Sequence, residues 1–288
     1  SRGDKELAEM HLFSSTQLFK RFGHTSNHIY DSLSGLSILA RIYATSGKLD
    51  KVHDILTELK KIVDEGDLYQ KLSKQFVNSL VSSITITQFY MTFHKRNNYT
   101  IDFQVDVKSL LLKYQNFILL PEMLTELMVY SGIEIDELID LKKEKLSNNF
   151  LKRVIDFLLA LQNPDVTSTD QRIKNASKIL DLSSKNIVRE GFGRIFSDMI
   201  LSKLYLSSGR YEEFKTTMKK YIFKTDKITN ISLRIMAQSM EAIYKFLQSD
   251  KAEKAIERLS VIISECEEKN LTRMGKEVKI FRQMIIQK

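Results

Sequence analysis

Leu39-Ala40-Arg41-Ile42-Tyr43-Ala44-Thr45-Ser46-Gly47-Lys48-Leu49-Asp50-Lys51-Val52 returns, much altered, as Leu201-Ser202-Lys203-Leu204-Tyr205-Leu206-Ser207-Ser208-Gly209-Arg210-Tyr211-Glu212-Glu213-Phe214. In both copies an aromatic residue stands four positions before a glycine, a large apolar residue two after it and an apolar residue five after it. A glycine placed this way closes one helix in the left-handed conformation, and the apolar residues on either side lay a second helix back along the first. A third, weaker copy runs through Phe246, Asp250, Ala252, Ala255, Leu259 and Ile262, with Asp, which tolerates turn conformations, in place of the glycine. Recurring hairpins predict an all-α solenoid of stacked antiparallel helical hairpins.

Outward from these turns the apolar residues recur at three and four positions, the period of amphipathic helices. The spacing predicts about fourteen helices: roughly 5–22, 26–46, 49–64, 67–95, 104–119, 121–131, 134–146, 148–162, 169–182 and 186–208, then a partner helix through Tyr211, Phe214, Met218 and Tyr221, another through Ile231 to Phe246, and a last pair from Ala252 to the end. The stretch 67–95 holds Val77, Val81, Ile84, Thr85, Ile86 and Thr87, which favour strand locally. Helix is the expectation because strands need neighbours that the rest of the chain does not offer. Gly191 and Gly193 are expected to break or kink the helix that contains them. Asp165 to Asp170 is the most loop-like segment, which predicts an N-terminal helical block over 1–163 and a C-terminal block over 164–288.

Composition agrees with helices. Among 288 residues there are two prolines and ten glycines, whereas a β-sandwich or barrel requires turn residues every ~8–12 positions. Cys266 is the single cysteine, which excludes an internal disulfide framework and a cysteine zinc cluster and points to a reducing, intracellular setting. No run of ~18 apolar residues occurs, so no membrane span is expected. The chain opens on Ser1 and not Met, as a processed or excised fragment would, and a targeting segment would then already be gone.

At the repeated turns the chain resembles the helical-hairpin repeat superfamily. Tyr205, Gly209, Tyr211 and Phe214 are similar to a tetratricopeptide repeat, while Ile42 to Lys51 is similar to the turn between the helices of a pentatricopeptide repeat. The matches cover about three hairpins, and the closing proline of either family is missing from all copies. The pentatricopeptide resemblance implies an RNA-binding factor of organelles, in the mitochondrial matrix for example; cytoplasm and nucleus stay open for the chain. The tetratricopeptide resemblance implies a scaffold that holds a peptide or helix of a partner protein. Base reading in the pentatricopeptide family uses a small polar residue ten positions before the turn glycine. Ser37 fits that place, but Met199 and Met240 occupy it in the other copies, so backbone contacts are expected in place of base reading.

Residues that could carry chemistry have plainer readings. His11, His24, His28, His53 and His94 lack partners at metal-ligand spacing, and the glutamates around Cys266 raise a thiol pKa and so do not activate it. Gly191-Phe192-Gly193 has neither the strand nor the Gly-Lys-Ser/Thr of a phosphate loop. Glu134, Asp136, Glu137 and Asp140 suit the first turn of a helix whose other end carries Lys142, Lys143 and Lys145. The expectation is a binding protein with no catalytic residue, no metal and no cofactor.

Charge placement supplies the candidate site. Net charge is +8; residues 1–214 hold 28 basic and 27 acidic side chains, residues 215–288 hold 16 and 9. In that last quarter, Lys215, Lys219, Lys220, Lys224 and Lys227 recur along one predicted helix, and Lys269, Arg273, Lys276, Lys279 and Arg282 along the final one. Two such rows facing one groove would neutralise several phosphates, which makes RNA the expected partner and a protein the alternative. Tyr221, at core spacing with Phe214 and Met218, is expected to pack inside.

Overall fold

The computed structural model describes residues 10–14, 17, 26–65, 72–95, 135–144, 149–162, 165–166, 168–184, 190–222, 225–228, 230–249 and 251–287. Among these there are twelve helices and no strand, against about fourteen helices expected. Eleven are α-helices: α1 (Ser26–Thr45), α2 (Leu49–Glu65), α3 (Lys74–Lys95), α4 (Ile135–Lys143), α5 (Asn149–Gln162), α6 (Thr169–Ser184), α7 (Glu190–Ser207), α8 (Tyr211–Met218), α9 (Ile231–Ser249), α10 (Ala252–Glu268) and α11 (Thr272–Ile286). The twelfth is a 3-10 turn over Thr225–Lys227. Residues 10–14 are helical too, but most of the helix expected over 5–22, and all of those over 104–119 and 121–131, lie outside the described residues. So do Gly23, His24, Pro121, Glu134, Pro164 and Asp250.

The chain forms two compact units, Ser1–His94 and Lys95–Lys288. The boundary expected at 163/164 falls inside the second, because α5 and α6 pack against each other across it. Arg172 on α6 donates to the carbonyl of Val166 in the connection, so the loop-like segment is the bend of a hairpin.

In the first unit, α1 and α2 form the hairpin that the opening repeat predicts. Lys48 N–H donates to Tyr43 O at 2.9 Å, and Gly47 N–H to Ala44 O at 3.1 Å, with Gly47 at φ 77°. These bonds satisfy the orphan carbonyls of α1, and the left-handed residue between them turns the chain. Leu33, Leu36, Leu39 and Ala40 of α1 are buried with Val52, Leu56 and Leu59 of α2. Each leucine so covered contributes about 1.5–3 kcal/mol. Helix α1 also meets α3: the rings of Tyr30 and Phe76 lie 4.2 Å apart, and the hydroxyls of Ser37 and Ser83 are hydrogen-bonded at 2.7 Å. From the first of these pairs to the second the chain advances seven residues along each helix, so α1 and α3 run parallel.

The β-branched run is helical, as expected. Ser82, Thr85, Thr87 and Thr92 each donate a hydroxyl proton to the carbonyl four residues earlier, at 2.7 to 3.0 Å, which satisfies the groups that otherwise compete for the backbone.

In the second unit consecutive helices pack in order, and α9 touches both α7 and α11. Helix α9 is buried along nearly its whole length, from Ile231 to Phe246, whereas α10 buries one stripe: Ala255, Leu259, Ile262, Ile263 and Cys266. Helix α9 is thus covered on several sides, and α10 is amphipathic. The α7–α8 turn repeats the first: Arg210 N–H donates to Tyr205 O at 2.8 Å and Gly209 stands at φ 69°. A third turn of this kind joins α10 to α11, where Leu271 N–H donates to Cys266 O at 2.8 Å and Asn270 supplies the left-handed residue at φ 54°.

Two expectations are corrected here. Helix α7 runs unbroken through Gly191 and Gly193, which fall in its first turn. Helix α8 ends at Met218, so Tyr221 is not on it. Lys220 and Tyr221 N–H bond to Thr217 and Met218 O in tighter turns, and Tyr221 donates its hydroxyl to Asp198 of α7 at 2.6 Å. Tyr221 is half-buried, its oxygen tied to a carboxylate.

Candidate nucleic-acid interface

The early end of α8 divides the first basic row. Lys215 is on the helix and pairs with Glu212 at 2.9 Å. Lys219 caps it, exposed, with no ion pair among the described residues, and Lys220 lies 3.6 Å from Asp198. Lys224 lies outside the described residues, and Lys227 lies in the 3-10 turn.

The second row is divided too. Lys269 precedes α11 and pairs with Glu265, and Lys279 pairs with Glu267 at 3.0 Å. Arg273 faces inward at 7 % exposure, against Met274. Arg282 is half-buried, with one guanidinium nitrogen 3.4 Å from the Ser260 hydroxyl. Lys276 is exposed. Helix α8 packs on α7 and α9, and α11 on α9 and α10. The physical reason for the division is that α11 buries one face. Its three-four spacing alternates core and surface, and Arg273 takes a core position beside Met274 and Val278.

The sequence reading missed a second set of cations. A cleft of about 640 Å³ opens between the 3-10 turn, α9 and α10, and Lys245, Lys251, Lys254 and Arg258 line it. Lys251 is the N-cap of α10, and Lys254 and Arg258 follow at three and seven positions on the same face. All three are exposed and carry no ion pair among the described residues. The acids of the cleft are engaged. Glu241 accepts from Thr225 Oγ1 at 2.7 Å and from Lys245 Nζ at 2.6 Å, and Asp226 accepts from Gln238 Nε2 at 2.6 Å. The signal was the same helical spacing that picked the other rows. It was hidden because Glu253, Glu257, Glu265, Glu267 and Glu268 share α10 and cancel its charge in any count.

The other expected residues have structural roles. Ser37, at the base-reading place, is buried and bonded to Ser83, and Met199 and Met240 are buried as well. Lys48 and Lys51 stand 5.3 and 5.2 Å from the centre of the Tyr43 ring, and Arg210 stands 5.2 Å from that of Tyr205. Arg210 also binds Asp170 of α6 at 2.7 Å and Glu213 of α8. The hydrogen bond from Arg210 holds the Glu213 carboxyl below its usual range, and Glu213 in turn raises the guanidinium. The cations beside the turn glycines therefore clamp the hairpins. Burial, and then the Glu265 carboxylate, push the Cys266 thiol up to about 12, which leaves it protonated at neutral pH. Among the described residues no three His, Cys, Asp or Glu side chains group as metal ligands, and no helix is long and apolar enough to cross a membrane.

Compared with known proteins, the chain matches no family model, no curated protein and no solved structure.

Proposed function

We propose that this chain is a non-catalytic helical-repeat protein whose hairpins stack as a solenoid and which binds single-stranded RNA, in the manner of an organellar factor that protects or processes a transcript. The observation that carries the reading is the surplus of positive charge over residues 215–288 together with Lys219, Lys251, Lys254 and Arg258, which are exposed and carry no ion pair among the described residues. Cations already bonded to carboxylates contribute little to a polyanion's binding. Unpaired ones release the counterions of the phosphates they meet. Lys215, Lys220, Lys269 and Lys279 are each paired with a carboxylate, along a helix or between helices. The buried Ser37, Met199 and Met240 favour backbone contacts over base reading.

Filter binding of single-stranded RNA at low and moderate salt tests the proposal. Saturable binding that weakens steeply with salt supports it, and no binding at micromolar protein refutes it. The second reading, a protein-interaction scaffold, is favoured by one observation: Val261 of α10 and Ile280 and Ile286 of α11 stand 55 to 60 % exposed. Recovery of one stoichiometric protein partner, unaffected by nuclease, would favour it.

A further inference from the structure

We infer that the cleft between the 3-10 turn, α9 and α10 is a nucleotide site, in which one phosphate group meets Lys251, Lys254 and Arg258 while a hydroxyl or amino group of the same nucleotide donates to Gln238. This rests on the RNA reading above and deepens it. The volume, about 640 Å³, is in the range that holds a small ligand.

Three features of the cleft lead to this chemistry. The first is the cation triad. At about 1.5 Å of rise per residue, Lys254 lies roughly 4.5 Å along the α10 axis from Lys251, and Arg258 roughly 6 Å beyond it, a row short enough to surround one phosphate. The N-cap residue Lys251 makes no side-chain cap hydrogen bond, so the first-turn N–H groups of α10 add their positive end of the dipole to the same place. The second is Gln238, a residue of α9 that lines the cleft at 7 % exposure. Its Nε2 must be the atom that faces Asp226, since a carboxylate only accepts, and this fixes Oε1 as an acceptor with no donor among the described residues. A buried carbonyl oxygen without a donor is costly, and a ligand that supplies an O–H or N–H removes that cost. The third is the wall made by Ala242, Phe246 and Ala255, an apolar surface for a sugar or base. An anionic end, a donor and a flat apolar body together describe a nucleotide. A bare anion has only the first.

The test uses the whole chain, a variant Lys254→Ala/Arg258→Ala, and a control Lys152→Ala/Lys174→Ala that removes the same charge from exposed positions of α5 and α6. Fluorescence anisotropy with a labelled single-stranded RNA is recorded across a salt series. The cleft variant should bind about tenfold more weakly at low salt or worse, with a log–log salt slope shallower by about 0.7, for the one phosphate that the two side chains no longer neutralise. The control should lie close to the unmodified chain. Superimposable titrations of the cleft variant and the control overturn the inference while leaving RNA binding standing.

A second arm follows the amide resonances of residues 252–258 during titration with adenosine monophosphate and, separately, inorganic phosphate. Shifts with the nucleotide that vanish in the cleft variant uphold the site even if the unmodified chain binds no RNA, in which case the RNA reading alone fails. Absence of nucleotide shifts overturns the site, and an identical response to inorganic phosphate overturns its assignment to a nucleotide.

Discussion

Replacing Gly209 by alanine isolates the conformational demand of the hairpin turn. Gly209 sits at φ 69°, and a Cβ built on it meets no atom within 4 Å, so a methyl group there clashes with nothing in the surrounding fold. The whole cost is the backbone's: an L-residue held in the left-handed region loses about 1–2 kcal/mol. The turn cannot relax cheaply, because Arg210 is bonded to Tyr205 O through its N–H, stands against the Tyr205 ring and pairs with Asp170 and Glu213. With a urea dependence of about 2 kcal/mol per molar, the midpoint of unfolding should fall by about 0.5–1 M. Asparagine should cost distinctly less than alanine, since the chain itself places Asn270 at φ 54° in the equivalent turn between α10 and α11. A Gly209→Ala midpoint unchanged within error, or an asparagine variant as unstable as the alanine one, would refute the reasoning.

Gly275 is the contrasting case, a glycine inside α11 whose added Cβ would meet the Cys266 Cβ at 3.4 Å, an ordinary contact. Gly275→Ala should raise the melting temperature, since alanine is favoured over glycine in a helix by about 0.8–1 kcal/mol. Cys266 should react with a thiol reagent at pH 8 only after unfolding in urea, because burial holds its thiol up to about 12; fast labelling of the folded chain would contradict this. Burial raises the Glu265 carboxyl, but hydrogen bonds and charge from Lys269 and Arg234 outweigh it and leave its pKa lowered. Its contribution to stability is therefore present above the ordinary carboxylate pKa and is lost as pH falls through the lowered one. Between pH 7 and pH 3 the urea midpoint of Glu265→Gln should fall less than that of the unmodified chain.

The turns were legible because they depend on single residues. A glycine at the left-handed position, an aromatic residue four before it and a large apolar residue two after it are local signals, and Gly47 and Gly209 are placed as their spacing foretold. Asn270 performs the same task, but asparagine is common enough in surface loops that nothing singled it out. The surroundings of the basic rows were not legible because helical period alone cannot tell which side of a helix faces inward. On α11 it places Arg273 in the core, and on α8 it ran past Met218, where the tie from Tyr221 to Asp198 redirects the chain. Ion pairs between elements, such as Lys203 of α7 with Glu277 of α11 at 2.6 Å, join residues 74 positions apart and leave no trace in local spacing. The cleft escaped for the same reason, since its walls come from three elements and its cations share a helix with an excess of glutamates.

The most direct measurement of the central claim is the dependence of single-stranded RNA affinity on salt for the unmodified chain. One phosphate neutralised by Lys219 and one by Lys251, Lys254 and Arg258 together would give a log–log slope of about −1.4, at roughly −0.7 per phosphate. A slope near zero, or no binding at low salt, would contradict the account.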